Sequence, residues 1–416
     1  MPDIPFKITP PLRSLLIAGC FPHPGNPRLG VWAQSQAEAL VTAGVELKVV
    51  SPTSFVPRFL GKLGVASWAA NCPNTARIGT LEVSFPRWPF YYASLMRPVI
   101  RRYPGLAYSM AWPFVKASLF EQVRTHKPDV IFAHHTFEGG ESARRLHEVT
   151  GIPYVIADWD FDEIIDCALF PARRRHYERI LAKCSSVIAT SERMKRDIEN
   201  LFPRTRVVVG HYGRDPIPAE IRLAPRPPDR AGRTIILCAC GFYERKGVPL
   251  LIDSFATIAA QYPEAELWIV GAGPQLHLIE QAASRVATPQ IRLLGPLPHQ
   301  EVLQEMVWAD VFALTGWDEP FATVAVEALA AGLPLLCSND GGICDLLRDG
   351  IHGITVPPKN GAAIADALSR LISQPMLREA MSEEASRLFA ERLTKEAYVN
   401  GIIAELQRAC GRNVNM

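Results

Sequence analysis

The chain has 416 residues, of which 48% are hydrophobic and 21% charged, and its formal net charge is +2. This length exceeds one ordinary core and predicts two globular domains of roughly 200 residues each. No apolar run reaches the roughly 18 residues that a membrane-spanning helix needs, so the sequence does not predict an integral membrane protein.

The cysteines and the N-terminal residues indicate a reduced, cytoplasmic chain. Nine cysteines are scattered along the sequence without a CxxC pair, so buried thiols without structural zinc are expected. The first ten residues contain no apolar core of a signal peptide ahead of a small-residue cleavage site. We therefore expect a cytoplasmic location.

The positive charge is concentrated in one stretch of the first half. Between Leu47 and Phe120 there are nine lysines and arginines against one acidic residue, Glu82, so nine minus one leaves +8 here and −6 elsewhere. Aromatic residues lie among the arginines of residues 83–120, which predicts peripheral contact with an anionic membrane face, such as the inner face. Packing of these aromatic side chains in a core is the open alternative. No nucleic-acid-binding motif accompanies the charge, so no nucleic acid partner is expected.

The first half begins with a β-α-β unit. A short apolar strand at residues 15–18 is followed by a loop rich in Pro and Gly that ends at Gly30, a helix at 31–43 and a strand at 45–50. Open α/β sheets bind ligands at the carboxyl ends of their strands, so Gly30 is a candidate binding residue. Residues 51–120 show no regular period.

Regular alternation then resumes with strands at residues 129–133 and 153–157. Both predicted strands run into polar residues at their carboxyl ends, where the chemistry of an α/β protein is usually found. These residues are His134, His135, Asp158, Trp159 and Asp160.

The second half repeats the alternation of strands and helices. Residues 1–215 are predicted as a first domain, the proline-rich residues 216–233 as a linker and residues 234–393 as a second domain. A last helix in residues 394–416 is expected to pack back on the first domain. The pattern predicts an α/β protein of two doubly wound, Rossmann-like domains facing each other across a cleft. The glycine pair at residues 271–273 lacks the third glycine of a dinucleotide fingerprint, which disfavours an NAD(P)-dependent oxidoreductase.

One stretch of the second domain combines two carboxylates with a helix start. Glu319 and Glu327 stand eight positions apart in EPFATVAVEALAAGLP, residues 319–334. Pro320 suits the first helical position, and Gly332 suits the left-handed cap at the end. A helix start that follows a strand leaves backbone N–H groups with partial positive charge, so it suits a phosphate.

The spacing of these carboxylates resembles the Glu-x7-Glu signature of retaining glycosyltransferases of family four, which have the GT-B fold. Three further segments resemble the family's glycine-bearing first loop, its lysine turn and the lining of its base pocket. They are NPRLG at residues 26–30, KG at 246–247, and LG with PH at 294–295 and 298–299. The resemblance covers residues 15–388. It implies transfer of a sugar from a nucleotide-diphosphate-sugar to a hydroxyl of a glycan, lipid-linked or small-molecule acceptor, with retention of the anomeric configuration.

The resemblance implies a role for each matched residue. Glu327 would bind the ribose hydroxyls, Lys246 would place a positive charge on the diphosphate, and Glu319 would orient the transferred sugar. Gly30 would let the backbone of the first domain approach the diphosphate. The remaining donor-side candidates are the amides of Phe321, Ala322 and Thr323, together with Arg245 and Leu294.

The chain departs from the family at two places. Phe242 occupies the position of a common arginine, for which Arg245 is a candidate substitute. Asp158 and its neighbours occupy the region of a common histidine, so Asp158 is a candidate catalytic carboxylate. The acceptor-side candidates are His134, His135, Trp159 and Asp160.

The resemblance also implies what the reaction does without. The nucleotide-diphosphate-sugar is a co-substrate, and neither a metal ion nor another cofactor is expected. A non-catalytic GT-B protein that binds a sugar nucleotide or a partner remains the alternative interpretation.

Overall fold

The computed structural model describes residues 11–57, 67–88, 97–158, 161–286 and 289–412. The chain divides into two compact units, the first formed by Met1–Gly210 with Val399–Met416 and the second by His211–Tyr398. All nine cysteines lie in the described residues and are free thiols. Among the described helices, none has both the length and the apolar character needed to cross a bilayer.

The first unit is built around a mostly parallel sheet. Its strands are β1 (Arg13–Ile17), β2 (Glu46–Val50), β3 (Thr53–Ser54), β4 (Thr75–Ile78), β5 (Leu81–Ser84), β6 (Arg87–Trp88), β7 (Val130–His134), β8 (Tyr154–Asp158), β9 (Ser186–Ala189) and β10 (Val207–Val209). Eight of them form one sheet in the order β10-β9-β8-β7-β1-β2-β5-β4, in which β4 is antiparallel and all other pairs are parallel. Every residue of β7, β8 and β9 is buried, as expected for strands covered on both faces.

Helices cover this sheet. They are α1 (Val31–Thr42), α2 (Ser67–Ala70), α3 (Arg97–Arg102), α4 (Pro104–His126), α5 (Glu141–Thr150), α6 (Asp162–Leu169), α7 (Pro171–Leu181) and α8 (Glu192–Leu201). A π-helical turn, His135–Gly140, joins β7 to α5. This turn brings the residues after β7 close to the carboxyl end of β8.

Helix α4 lies in the stretch where the sequence showed no regular period. Its buried residues include Tyr108, Ala111, Val115 and Leu119. Its exposed residues include Leu106, Met110 and Phe114. Because the helix is apolar on two faces, the alternation of apolar and polar residues that marks an amphipathic helix is absent.

The second unit contains a fully parallel sheet. Its strands are β11 (Thr234–Ala239), β12 (Ala265–Val270), β13 (Ile291–Gly295), β14 (Val311–Leu314), β15 (Leu335–Ser338) and β16 (Gly353–Val356). Their order is β13-β12-β11-β14-β15-β16, which is the doubly wound order with its topological switch point between β11 and β14. Ligands of such sheets bind outside the carboxyl ends of the strands at this switch point.

The helices of the second unit follow the predicted alternation. They are α9 (Ala219–Arg222), α10 (Val248–Ala256), α11 (Leu276–Arg285), α12 (His299–Trp308), α13 (Thr323–Ala330), α14 (Gly361–Ser373) and α15 (Pro375–Arg392), and α16 (Lys395–Ala409) follows them. Helix α13 begins three residues later than the Pro320 start that the sequence predicts. The reason is that Ala322 has an extended backbone, with φ −78° and ψ 98°.

Part of the predicted linker, residues 216–233, packs on the core of the second unit. The guanidinium of Arg230 lies 4.3 Å from the ring centre of Trp268 and 4.6 Å from that of Trp308. Arg230 also donates to both carboxylate oxygens of Glu305, at 2.7 and 3.0 Å. These contacts order a proline-rich segment that has no period of its own.

The C-terminal residues make polar contacts within the first unit. Glu405 of α16 accepts hydrogen bonds from Ser186 Oγ at 2.9 Å and from Arg206 Nη2 at 3.1 Å. Arg412 Nη2 donates to Asp129 Oδ2 at 2.8 Å. The residues from Val399 onward therefore belong to the first unit although they follow the second in sequence.

Candidate functional site

Two loops of the second unit meet at the switch point of its sheet. The loop after β11 contains the 3-10 turn Glu244–Lys246, and the loop after β14 leads to α13. Because β11 and β14 are hydrogen-bonded neighbours, both loops leave the same edge of the sheet side by side.

The carboxylate of Glu319 joins these loops. Its Oε2 accepts a hydrogen bond from Arg245 Nη1 at 2.9 Å and another from Lys246 Nζ. The side chains of Glu319 and Lys246 are each 13% exposed, whereas that of Arg245 is 40% exposed. Charge-assisted hydrogen bonds of this kind contribute about 1.5–3 kcal/mol each, and less for the exposed Arg245. Glu319 therefore holds two cations at the place where a doubly wound sheet binds its ligand.

Backbone contacts fix the geometry of this pair of loops. Trp317 N donates to Arg245 O at 2.8 Å, and Gly342 N donates to Glu319 O at 3.0 Å. Gly316 packs so closely that a Cβ there would lie 2.4 Å from Arg245 O. Asp318 has a positive φ of 53°, which turns the chain just before Glu319.

The start of α13 supplies free amides beside this carboxylate. Within the described residues, no acceptor is found for the backbone N–H groups of Phe321, Ala322 and Thr323. The side chains of Phe321 and Ala322 are buried, and the Phe321 ring lies 5.4 Å from the ring of His211. Packing thus holds the helix start in place while its amides stay available for an anion.

Glu327 lies one turn inside α13 and is also held by cations. Its Oε1 accepts a hydrogen bond from His299 Nε2 at 3.1 Å and lies 3.2 Å from Arg214 Nε. The hydrogen bond and charge of Glu327 raise the pKa of His299. His299 and Arg214 therefore orient the carboxylate of Glu327.

Two further candidate positions on the donor side, Leu294 and Phe242, differ in how deeply they are buried. Leu294 on β13 is partly buried and packs against the hydrophobic core of the second unit. Phe242, which occupies the position of the family's common arginine, is 2% exposed and belongs to the core. The side chain of Phe242 therefore supplies no positive charge to the candidate site, and Arg245 is the arginine that reaches Glu319.

In the first unit, Gly30 is the N-cap of α1 and has a left-handed backbone with φ 65°. A Cβ at this position would lie 2.5 Å from Cys20 O and 2.7 Å from Cys20 C. Both the backbone conformation and the close approach therefore require glycine.

The two histidines after β7 lie in different surroundings. His134 is fully buried, its Nε2 lies 2.6 Å from Gln36 Oε1, and its ring stacks on Trp32 at 5.1 Å. Burial, with the charge of His135 as a smaller cause, lowers the pKa of His134 well below its usual value. The His134 side chain is thus a neutral packing element, whereas His135 is partly exposed and has a positive φ of 61°.

Asp158 ends β8 in a buried polar cluster. Its Oδ1 accepts a hydrogen bond from Thr136 N at 3.0 Å, and its Oδ2 accepts one from Thr136 Oγ1 at 2.7 Å. Glu163 Oε2 accepts from the same Thr136 amide at 3.0 Å. Burial first, and then the charge of Glu163, raises the pKa of Asp158 to about 7. Asp158 therefore changes its protonation state near neutral pH.

The same cluster is where a cation could bind in the first unit. Ligand atoms of His135, Asp158 and Glu163 all lie within 4.8 Å of one another. An ion there would compete with the Thr136 hydrogen bonds for the carboxylate oxygens. The other two candidates at this edge, Trp159 and Asp160, lie outside the described residues.

Sequence reasoning missed Arg214, which lies in a proline-rich segment with no helical or strand period. Its backbone pairs with the chain before α16, because Arg214 N donates to Leu393 O at 2.9 Å and Lys395 N donates to Arg214 O at 2.8 Å. The adjacent Gly213 packs closely on Thr394. A glycine beside an arginine was the one available signal, and it does not identify Glu327 as the partner.

Comparison with known proteins identifies the class. Residues 29–213 match the family described as "Glycosyl transferase 4-like domain", and residues 223–388 match "Glycosyl transferases group 1". The chain therefore belongs to the family-four type of glycosyltransferases, as the sequence predicts, and its fold is GT-B.

Individual relatives agree with this assignment. The chain is 23% identical over 376 residues to the putative teichuronic acid biosynthesis glycosyltransferase TuaC of Bacillus subtilis, a match that covers 86% of this chain and 89% of TuaC. The structure is similar to sucrose-phosphate synthase of Thermosynechococcus elongatus, with a TM-score of 0.72, 18% identity and coverage of 94% and 97%. It is also similar to Anabaena HepE in complex with UDP and glucose, with a TM-score of 0.67, 18% identity and coverage of 95% and 100%.

We expect Gly30→Ala to destabilise the first unit by about 2–5 kcal/mol, because it combines left-handed strain with a backbone clash. Gly151→Ala is the matched control, since Gly151 has φ 74° but no atom lies within 4 Å of where its Cβ would be. The control should cost about 1–2 kcal/mol. Urea denaturation of both variants measures the difference, and equal losses would show that the close approach to Cys20 is unimportant.

A second prediction concerns Asp158. The pKa of Asp158 in the folded chain is raised to about 7. The contribution of Asp158 to stability is therefore fully present below the pKa of the unfolded chain and is lost as the pH rises through about 7. Asp158→Asn keeps a neutral side chain at every pH. The free energy of unfolding of this variant, relative to that of the native chain, should therefore be higher at pH 8 than at pH 5. The expected change is on the order of a few kcal/mol. Urea midpoints at both pH values test this, with Asp197→Asn on α8 as control; a pH-independent difference would contradict the raised pKa of Asp158.

Proposed function

We propose that this glycosyltransferase retains the anomeric configuration and needs no metal ion. In this proposal it transfers a sugar from a nucleotide-diphosphate-sugar to a hydroxyl of a glycan or lipid-linked acceptor. The observation that carries the proposal is the convergence of Arg245 and Lys246 on Glu319 beside the free amides at the start of α13. These groups place positive charge where a diphosphate leaving group would develop negative charge.

Three groups of residues in the second unit would each bind a different part of the donor. Its β-phosphate would accept hydrogen bonds from the amides of Phe321, Ala322 and Thr323 and from Lys246. Glu327 would accept hydrogen bonds from the ribose hydroxyls, and Glu319 would face the sugar. The UDP and glucose bound in the HepE complex support a nucleotide-sugar donor of this type.

Two fixed cations and a helix start can do the electrostatic work that a metal ion does in other transferases. Arg245 would share this work, because it reaches the same carboxylate oxygen as Lys246. Divalent ions are therefore expected to be dispensable for donor binding and for transfer.

On the acceptor side, Asp158 would serve as the carboxylate that takes the place of the family's histidine. Its burial and raised pKa support a group that changes protonation near neutral pH. His135, Trp159 and Asp160 stay acceptor-side candidates because of their position after β7 and β8. The name of TuaC, a putative teichuronic acid biosynthesis glycosyltransferase, supports a role in polysaccharide biosynthesis.

The decisive experiment incubates the full chain with a panel of nucleotide-diphosphate-sugars and glycan or lipid-linked acceptors, with and without EDTA. We expect release of the free nucleotide diphosphate at the same rate in both conditions. NMR of the product should show the anomeric configuration of the donor. Inversion would refute retention, loss of activity in EDTA would refute metal independence, and donor binding without turnover would favour a non-catalytic binding protein.

Variants separate the roles on the donor side. Lys246→Ala should lower kcat about 10²- to 10³-fold, because it removes a charge from the leaving group. Glu327→Ala should weaken donor binding about 10- to 100-fold, because it removes a charged acceptor of hydrogen bonds. Glu280→Ala, on the exposed side of α11, is the control that should change neither. Steady-state kinetics and calorimetry measure both effects, and native turnover in the two site variants would refute the assignment.

We also propose that the outer face of α4 contacts an anionic membrane surface. Leu106, Met110 and Phe114 are 60%, 48% and 60% exposed and follow one another at helical spacing. Arg102 and Lys116 are exposed nearby, in the stretch whose net charge is +8. An apolar stripe flanked by positive charge is typical of helices that lie in the membrane interface. The cytoplasmic location inferred from the sequence stays a prediction.

Flotation with vesicles tests the membrane proposal. We expect binding to vesicles that contain phosphatidylglycerol and loss of binding at about 1 M salt, where the screening length falls to about 3 Å. Phe114→Asp should abolish binding, whereas Met376→Asp, at an exposed methionine of the second unit, should not. Equal binding by both variants, or no binding at low salt, would contradict the proposal.

A further inference from the structure

The first unit contains a cavity of about 300 Å³ between three of its helices. Residues of α4, α5 and α7 line it. The polar side chains of the lining are Ser109, Glu141, Arg144, Arg145, His176 and Arg179. Neither the donor-side nor the acceptor-side assignment uses these residues, although the lining is strongly polar.

The lining has an excess of positive charge. Three arginines against one carboxylate leave three minus one, or +2. Glu141 is 1% exposed and accepts hydrogen bonds from Arg144 Nε at 2.7 Å and from Arg145 Nε at 2.7 Å. It therefore holds two guanidinium groups in fixed positions. Arg179 forms no ion pair with any residue that the structure describes.

The start of α4 adds two backbone donors to the same wall. Gly105 and Leu106 line the cavity, and the first amide of α4 that bonds within the helix is that of Ala107, to Tyr103 O at 3.0 Å. Because Gly105 has no side chain, Arg179 Nη2 and His176 Nδ1 lie only 3.5 Å from where a Cβ would be. The positive end of a 23-residue helix is thus open to the cavity.

His176 supplies an unsatisfied buried donor. The residue is 3% exposed, and Arg179 Nη2 lies 3.4 Å from its Nδ1, so Nδ1 is the acceptor and the proton of the neutral ring is on Nε2. Within the described residues Nε2 has no hydrogen-bond partner, since Glu141 Oε2 is 4.0 Å away. Burial, together with the charges of the neighbouring arginines, lowers the pKa of His176 to about 4. An anion oxygen in the cavity would accept the Nε2 hydrogen bond.

We propose that this cavity is a binding site for a phosphate group, carried either by a small polar molecule or by a lipid headgroup. Guanidinium groups fixed by a carboxylate, free amides at a helix start and a buried N–H donor all suit phosphate oxygens. The cavity is larger than a phosphate alone, so the bound molecule carries a polar body of modest size. The site lies in the first unit, and its occupation requires no sugar transfer.

Two variants test the site on the full chain. Arg179→Gln removes the exposed cation and should weaken binding of inorganic phosphate about tenfold, whereas Arg175→Gln, an exposed arginine on the same helix, should leave it unchanged. Gly105→Ala should also weaken binding, because its methyl group enters the cavity, but it should not lower the unfolding temperature, since alanine favours the helix.

The readout is the imidazole NMR signal of His176, assigned with His176→Gln. We expect phosphate to shift this signal and to raise the pKa of His176, because a nearby anion favours the protonated ring. This signal reports the cavity itself, so it is independent of phosphate binding in the second unit and of the transferase reaction. A signal that does not move at millimolar phosphate, or equal affinities in Arg179→Gln and Arg175→Gln, would overturn the proposal.

A second experiment distinguishes whether the phosphate group belongs to a small soluble molecule or to a lipid headgroup. Glucose 6-phosphate represents a soluble phosphomonoester, and phosphatidylcholine vesicles that contain phosphatidic acid represent a headgroup. If glucose 6-phosphate shifts the His176 signal and Arg179→Gln weakens this response, the site binds soluble ligands. If Arg179→Gln weakens vesicle binding and Arg175→Gln does not, the site binds a lipid headgroup. If neither probe distinguishes the two variants, the cavity does not bind a phosphate group carried by a larger molecule, and the proposal is overturned.

Discussion

The candidate donor site of this glycosyltransferase depends on one carboxylate. Glu319 accepts hydrogen bonds from Arg245 and Lys246 and so joins the loop after β11 to the loop after β14 at the switch point of the sheet. Without this anion, the adjacent cations of Arg245 and Lys246 would repel each other, although the 40% exposure of Arg245 weakens that repulsion. Their common position beside the start of α13 is what makes the site suitable for a diphosphate.

In the first unit burial sets the charge of the candidate site residues, whereas in the second unit ion pairs hold the charged side chains. Asp158 and Glu163 both accept a hydrogen bond from the amide of Thr136, and burial, with the nearby charge of Glu163, raises the pKa of Asp158 to about 7. His134 is neutral for the same reason, because its ring is enclosed by Gln36 and Trp32. Charge at this edge of the sheet is therefore set by desolvation, and it responds to pH.

Sequence reasoning selected most of the residues that the structure brings together in the candidate site of the second unit, because several of them are close together in the chain. Glu319, the helix start and Glu327 lie within one short stretch, and Lys246 follows a recognisable strand. It did not identify Arg214 or the pairing of His299 with Glu327, because these contacts join positions 28 or more residues apart in the chain. Helix α4 was missed for another reason: it is apolar on two faces, so its period was hidden.

The sequence by itself determined the class of this protein, its two doubly wound units and the stretch that holds Glu319 and Glu327. These features rest on local patterns: alternation of apolar strands and helices, the spacing of two carboxylates, and a lysine beside a glycine. Tertiary structure alone decided that neighbouring Arg245 and Lys246 reach one oxygen, that Phe242 lies in the core and that three helices enclose a basic cavity. The physical reason is that charge pairing and burial depend on distances between side chains from separate elements, and a linear pattern does not contain those distances.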